Sequence, residues 1–204
     1  MWSQCRPAIV VLILLSAVTG LAYPLLVTGI VAVVFSWQAN GSVLKNGAGK
    51  PVGSRLIGQY FSEPKYFWPR PSATSPVPYT SYNGPLEDCG SGSNLGPTNP
   101  ALFAAVQRRV ARLRAADPAE KGPVPVDMVT SSASGLDPDI SPAGAYYQVA
   151  RVAKARGLPV AEVKTLVKHF IRGRDFGILG APRVNVLELN LALNRLSLDN
   201  QSKD

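Results

Sequence analysis

From Ala8 to Trp37 the chain is apolar at almost every position, AIVVLILLSAVTGLAYPLLVTGIVAVVFSW, and holds no charged residue. A bilayer core takes roughly 20 apolar helical residues, so this run predicts one membrane crossing with length to spare. Pro24 sits inside it, where a kink is expected. A cleaved leader is the competing reading, with Arg6 as its basic end and Gly20-Leu21-Ala22 as its small-residue site. Hydrophobicity continues well past that site to Phe35, which favours a retained anchor. Basic residues flank both ends, Arg6 on one side and Lys45, Lys50 and Arg55 on the other, so charge assigns no orientation.

Beyond the anchor the pattern divides. Residues 38 to 98 are rich in Gly, Pro, Ser, Asn and Tyr and show no long periodic run. One short element is expected across Ser54 to Phe61. The stretch after it has too many prolines for a central strand. Tyr60, Phe61, Tyr66, Phe67, Trp68, Tyr79 and Tyr82 give it too much apolar area for a disordered linker, and predict an ordered lobe packed on its own core or on a partner.

From Asn99 helical spacing takes over. Leu102, Phe103, Val106, Val110 and Leu113 recur on one face, and the run ends at Asp117-Pro118. A short strand is expected near Val126 to Thr130, a second helix over Pro142 to Arg156 closed by Gly157, and a third over Val160 to Arg172. VNVLELNLALNRL alternates like a strand yet fits a helix, and helix is the expectation. The class is α+β, a mainly helical domain behind a single N-terminal transmembrane helix. It divides into a tail (1–7), the anchor (8–37), the loop-rich aromatic lobe (38–98) and the helical part of the same domain (99–204).

SNLGPTNPAL, 93 to 102, poses the choice between a phosphate cradle and a helix start. Asn99-Pro100 and Ser141-Pro142 both read as helix starts, an oxygen-bearing cap followed by a proline preset for the first turn. Asn94, Gly96 and Asp137 are turn positions leading into them. No phosphate-binding pattern stands: Gly49-Lys50 is followed by Pro51, and GSGSNLG has Leu95 where the third glycine is needed. Capping is the better reading.

The chain carries a net charge of +8. Arg6 is the only charged residue before Lys45, so the excess lies almost wholly in the domain, spread out rather than clustered. Nucleic acid is not expected as a partner. Cys5 and Cys89 would lie on opposite faces of a membrane and cannot pair. One histidine, His169, and two separated cysteines argue against a zinc site. Ser42-Val43-Leu44-Lys45 matches S-x-x-K, but the companion patterns of that hydrolase class are missing. A tethered Ser/Lys hydrolase is kept as the alternative function. Acid pairs such as Asp137/Asp139 and Glu87/Asp88 fall in turns.

Taken in order, GLAYPLLVTGI, QANGSVL, GSRLIGQYF, YFWPRPSAT, SYN, GSNLGPTNPAL, VTSSASGLDPDISPAGAYYQVARVAKARG and LGAPRVNVLELNLAL resemble the C-subunit family of the bacterial Kdp potassium-transporting ATPase, from about Thr19 to Leu193. The chain departs from that family's usual pattern at Leu86-Glu87-Asp88, Asp139 and Ala181. The resemblance implies a non-catalytic accessory subunit in the inner membrane, single-pass, with its domain outside the cytoplasm. Its implied partners are a channel-like potassium-translocating subunit, an ATP-hydrolysing subunit, a small single-span subunit and the lipid bilayer. ATP, Mg and K+ are then used by the complex, with no cofactor or metal held by this chain. Gln148, in AYYQVARV, falls at the position the family links to nucleotide affinity. Candidate subunit contacts are Gly20, Tyr23, Pro24 and Gly29 in the anchor, and Tyr66, Phe67, Trp68, Arg70, Tyr82 and Asn83 in the lobe. A basic domain over a cation entrance would need its acids on the channel-facing side, which singles out Asp137 and Asp139.

Overall fold

The computed structural model describes residues 2–74, 77–80 and 92–201. The chain forms two compact units, Met1–Val43 and Leu44–Asp204.

The first unit is almost wholly helical: α1 (Trp2–Ala17), a π-helical turn (Val18–Ala22), α2 (Tyr23–Val34) and the short α3 (Ser36–Ala39). Ser3–Val34 is a helical run long and apolar enough to cross a membrane, and none of its most apolar stretch is buried. At about 1.5 Å per residue such a helix spans a bilayer core with length left over. The place of the expected kink is taken by the π turn. Proline offers no N–H and its ring crowds the carbonyl four residues back, here that of Gly20. The backbone widens just before it, so that the Tyr23 N–H donates to Val18 O, and Thr19 Oγ1 donates to Leu15 O at 2.7 Å.

In the second unit β1 (Val43–Lys45) and β2 (Pro51–Ser54) form a hairpin. Asn46 closes its turn, the side-chain oxygen accepting from the N–H groups of Ala48 and Lys50, with Gly49 at φ +75. Gly49-Lys50 therefore turns a hairpin. The element expected over Ser54 to Phe61 is absent as such: the strand ends at Ser54, and the chain runs on through a turn into backbone with no regular structure.

Helix α4 (Pro100–Ala116) is followed by a 3-10 turn at Val126–Met128. The strand expected there does not form. Asp127, in the turn, faces the start of the next helix and bonds Ser141, and a local turn supplies that direction where a strand would not. A three-stranded antiparallel sheet places β5 (Arg183–Asn185) between β3 (Asp139–Ile140) and β4 (Ile171–Arg172). Helix α6 (Val160–Phe170) thus stops two residues earlier than its periodicity suggests, because Ile171 and Arg172 pair with Val184 and Arg183.

Helix α5 (Pro142–Arg156) and the final helix α7 (Val186–Gln201) complete the domain. Val149, Val152, Val163, Val167, Val184, Leu189 and Leu193 form the centre of its core together with Phe67. Each buried side chain of this size contributes about 1.5–3 kcal/mol over its exposed state.

Candidate functional site

Buried polar contacts gather where a strap, residues 63 to 72, opens with a turn and then crosses α5 and α7. Its backbone belongs to no helix or sheet, so its amides need side-chain partners once buried. Helices α5 and α7 supply them. Asn190 works as a two-way clip, its Oδ1 accepting the Phe67 N–H at 2.9 Å and its Nδ2 donating to Phe67 O at 3.0 Å. Gln148 does the same for the next residue. Its Oε1 accepts the Trp68 N–H at 2.7 Å, and its Nε2 donates to Trp68 O at 3.2 Å and Gly144 O at 3.1 Å. Gln148 is 1% exposed and Asn190 2%.

Arginines hold the strap's flanks. Arg151 donates to Pro64 O at 2.5 Å and to Gln148 Oε1 at 2.6 Å, and its guanidinium lies 4.2 Å from the centre of the Trp68 ring. Arg112 covers the same ring at 4.7 Å, and the indole N–H donates to Glu63 O. Burial pushes the Arg151 guanidinium down to about 10, with Arg112 adding to the fall and Asp117 opposing it; the group stays cationic at neutral pH. One turn on, Arg156 donates to Lys65 O, Asn194 Oδ1 and Ser197 Oγ and lies over Tyr66.

A second polar centre lies at the start of α5. Ser141 Oγ accepts the Gly144 N–H at 2.9 Å, capping the helix. Asp127 accepts from both the Ser141 N–H (2.7 Å) and its hydroxyl (3.0 Å). Nearby, Asp137 accepts the Asp139 N–H at 3.0 Å and pairs with Arg70 at 2.8 Å. Arg183 pairs with Asp139 at 3.6 Å and Asp175 at 3.1 Å. Burial, then the neighbouring Asp137, raises the Asp139 carboxyl above the usual carboxylate range. Arg70, Asp137, Asp139, Ser141 and Arg183 line an open cleft. Each of these acids already has a partner, and among the described residues no group of three acidic, His or Cys side chains is placed to hold a metal ion.

These contacts fasten the strap to α5 and α7 and the start of α5 to the turn at Val126–Met128. A family model described as "KdpC: K+-transporting ATPase, c chain" matches residues 5–195. The chain belongs to the KdpC family. It is 57% identical over 194 residues to the potassium-transporting ATPase KdpC subunit of Sorangium cellulosum, covering 95% of this chain and 98% of that protein. The KdpC subunit of Ralstonia nicotianae is 59% identical over 191 residues, 94% of this chain and 90% of its own length. That of Methylococcus capsulatus is 54% identical over 196 residues, 96% and 100% of the two chains.

Within this KdpC framework the residues singled out from sequence fall into three groups. The caps are in place: Asn99 Oδ1 accepts the Ala101 N–H, Ser141 caps α5, and Pro100 and Pro142 open their helices. Asn94 takes a left-handed φ of +50 and Gly96 O accepts the Asn99 N–H. The second group changes meaning. Phe67 (0% exposed) and Trp68 (7%) belong to the domain's own core, which corrects their reading as surface contacts, and Arg70 is paired to Asp137. Gln148 is a buried clip for the strap. Ser42 is 2% exposed, so a substrate would not reach it, and His169 is exposed on α6. The third group stays on the outside. Tyr66 is half-buried, while Gly20, Tyr23, Pro24 and Gly29 lie on the exposed surface of the anchor. Tyr82, Asn83, Glu87, Asp88 and Cys89 lie outside the described residues.

Sequence reasoning misses Asn190, Arg151, Arg156 and Asp127. The one available signal is at Asn190, a lone amide inside the apolar run of LELNLAL.

Proposed function

We propose that this chain is a non-catalytic accessory subunit of an ATP-driven potassium uptake complex. It stabilises the association of a channel-like subunit, an ATP-hydrolysing subunit and a small single-span subunit, and raises the ATP affinity of the assembly. ATP, Mg and K+ act on those other chains. The observation that carries this reading is the contrast between the two units. The anchor leaves every large apolar side chain from Ile9 to Leu26 at least 47% exposed, a surface that lipid and other helices must cover, with Gly20 and Gly29 as points of close approach. The domain, by contrast, commits buried polar side chains such as Gln148, Arg151, Asn185 and Asn190 to its own backbone. In this proposal the domain lies on the extracytoplasmic side of the inner membrane, so any effect on cytoplasmic nucleotide passes through helices. Gln148 then acts by keeping the strap in place, without touching nucleotide.

The test is affinity purification of the tagged chain in mild detergent from cells grown under potassium limitation. Co-elution of a polytopic membrane chain and a large ATPase, with K+-stimulated ATP hydrolysis that fails without this chain, supports the proposal. Elution alone, with potassium uptake unchanged on deletion, refutes it.

A further inference from the structure

Between β4 and β5 the chain leaves the sheet, turns and returns, and its tip leaves most of its apolar surface outside the fold. Phe176 is 91% exposed, Ile178 75% and Leu179 57%. Single exposed apolar residues are ordinary; three large ones within four positions are a patch.

The tip is firmly built. The Asp175 N–H donates to Leu179 O and the Leu179 N–H to Asp175 O, both at 2.9 Å, and the Gly177 N–H closes on Arg174 O at 3.2 Å. Arg183 Nη2 reaches both oxygens of the Asp175 carboxylate at 3.1 Å. Closing this turn holds Phe176 at φ +53 and Gly177 at φ +78. The left-handed region suits glycine and strains a bulky side chain. The fold therefore holds a strained backbone in a fixed shape whose visible result is an aromatic ring displayed to the outside.

We infer that this tip is a docking knob: Phe176, with Ile178 and Leu179, seats in an apolar pocket on another chain of the potassium-transporting ATPase, and Arg174 meets oxygen atoms at the pocket's rim. The inference rests on the accessory-subunit reading. Rigid aromatic anchors beside an arginine are what dominate protein interfaces, and a pre-set turn loses little entropy on docking. The bilayer surface is the competing occupant, since apolar tips with basic neighbours also enter headgroup layers. Charge favours protein. Arg172 pairs with Glu188, which Arg55 also meets, and Arg183 pairs with Asp175 and Asp139, so these arginines already face acids within the domain. That leaves Arg174 as the cation beside the tip, and one cation is a weak attraction to an anionic surface.

The experiment uses the intact ATPase in native membranes, with position 176 of the tagged chain carrying a photo-crosslinking phenylalanine analogue, and a Phe176→Ser variant alongside. The expected result is a crosslink to another chain of the ATPase, together with at least a tenfold loss of that chain's retention by Phe176→Ser under washing. Unchanged melting of Phe176→Ser shows that the domain still folds. Retention like that of the original chain, or crosslinks to lipid alone, overturns the docking knob while leaving the accessory role intact. If the unaltered chain brings no ATPase subunit with it, the accessory reading fails first and the knob with it.

Discussion

Replacing Gln148 with Ala separates a structural clip from a nucleotide-linked side chain. The truncation leaves the Trp68 N–H and C=O, both in a buried stretch, without their 2.7 Å and 3.2 Å partners. Each such group costs about 1–3 kcal/mol when stranded. Arg151 also loses an acceptor at 2.6 Å, and the vacated space adds about 1 kcal/mol or more. Partial relaxation brings the expected loss to roughly 3–5 kcal/mol, a large share of the ~5–15 kcal/mol that holds a typical domain. At about 2–4 °C per kcal/mol for a domain of this size, the melting point falls by about 10 °C. Gln148→Glu serves as the graded control. A carboxylate still accepts from Trp68 and Arg151 but cannot donate to Trp68 O, so its loss is smaller than that of Ala. Circular dichroism melting of the full chain in detergent reads both variants. If Gln148→Ala melts within about 2 °C of the unaltered chain while the assembled ATPase loses ATP affinity, the clip is refuted and the side chain influences nucleotide binding by a route other than domain stability.

The same contacts set other outcomes. Ser141→Ala destabilises more than Asn99→Ala, because Ser141 both caps α5 and donates its hydroxyl to Asp127 while Asn99 caps an exposed turn; typical cap losses are about 0.5–2 kcal/mol, read by denaturant midpoints. Gly58→Ala lowers stability sharply, since an added Cβ would lie 2.6 Å from Asp137 O and against the Tyr79 ring; a melting point unchanged from the original would refute the close packing. Asp139 has a raised folded-state carboxyl, so its contribution to stability is fully present below the unfolded value of about 3.8 and is lost as pH rises through the folded value. Asp139→Asn therefore flattens the acid end of the stability–pH curve, and an unaltered curve would count against the burial of that carboxyl.

What could be read in advance was whatever local chemistry decides. The ends of α4 and α5 are marked by Asn99-Pro100, Asp117-Pro118, Ser141-Pro142 and Gly157, residues whose backbone preferences act within a turn. The anchor is legible for the same reason, since its hydrophobicity needs no partner to be recognised. The errors lie where a distant residue decides. Ile171 and Arg172 suit a helix until β5 offers them a strand partner. Val126 to Thr130 suits a strand until Asp127 is drawn to Ser141. Phe67 and Trp68 look like surface anchors because the chain around them is proline-rich, and nothing local shows that Asn190, 123 positions from Phe67, receives its backbone.

That long-range clip also explains how a stretch so poor in regular structure can be part of a stable domain. A strap without a ladder must find a partner for each buried amide, and a purely apolar cover would leave them stranded at a cost of about 1–3 kcal/mol apiece. Gln and Asn suit the task because one short side chain offers both an acceptor and a donor, and so satisfies the N–H and C=O of one residue together. Two consecutive strap residues are fastened this way, Phe67 from α7 and Trp68 from α5. The strap thereby ties two helices to each other as well as to itself. Exchanging the amides between the sites, as Gln148→Asn with Asn190→Gln, keeps the chemistry but changes each reach by one methylene. The double variant should be clearly less stable than the original chain, and no further improved over the single variants. Recovery of full stability in the double variant would mean that the amides float in the core, with no fixed register between strap and helices.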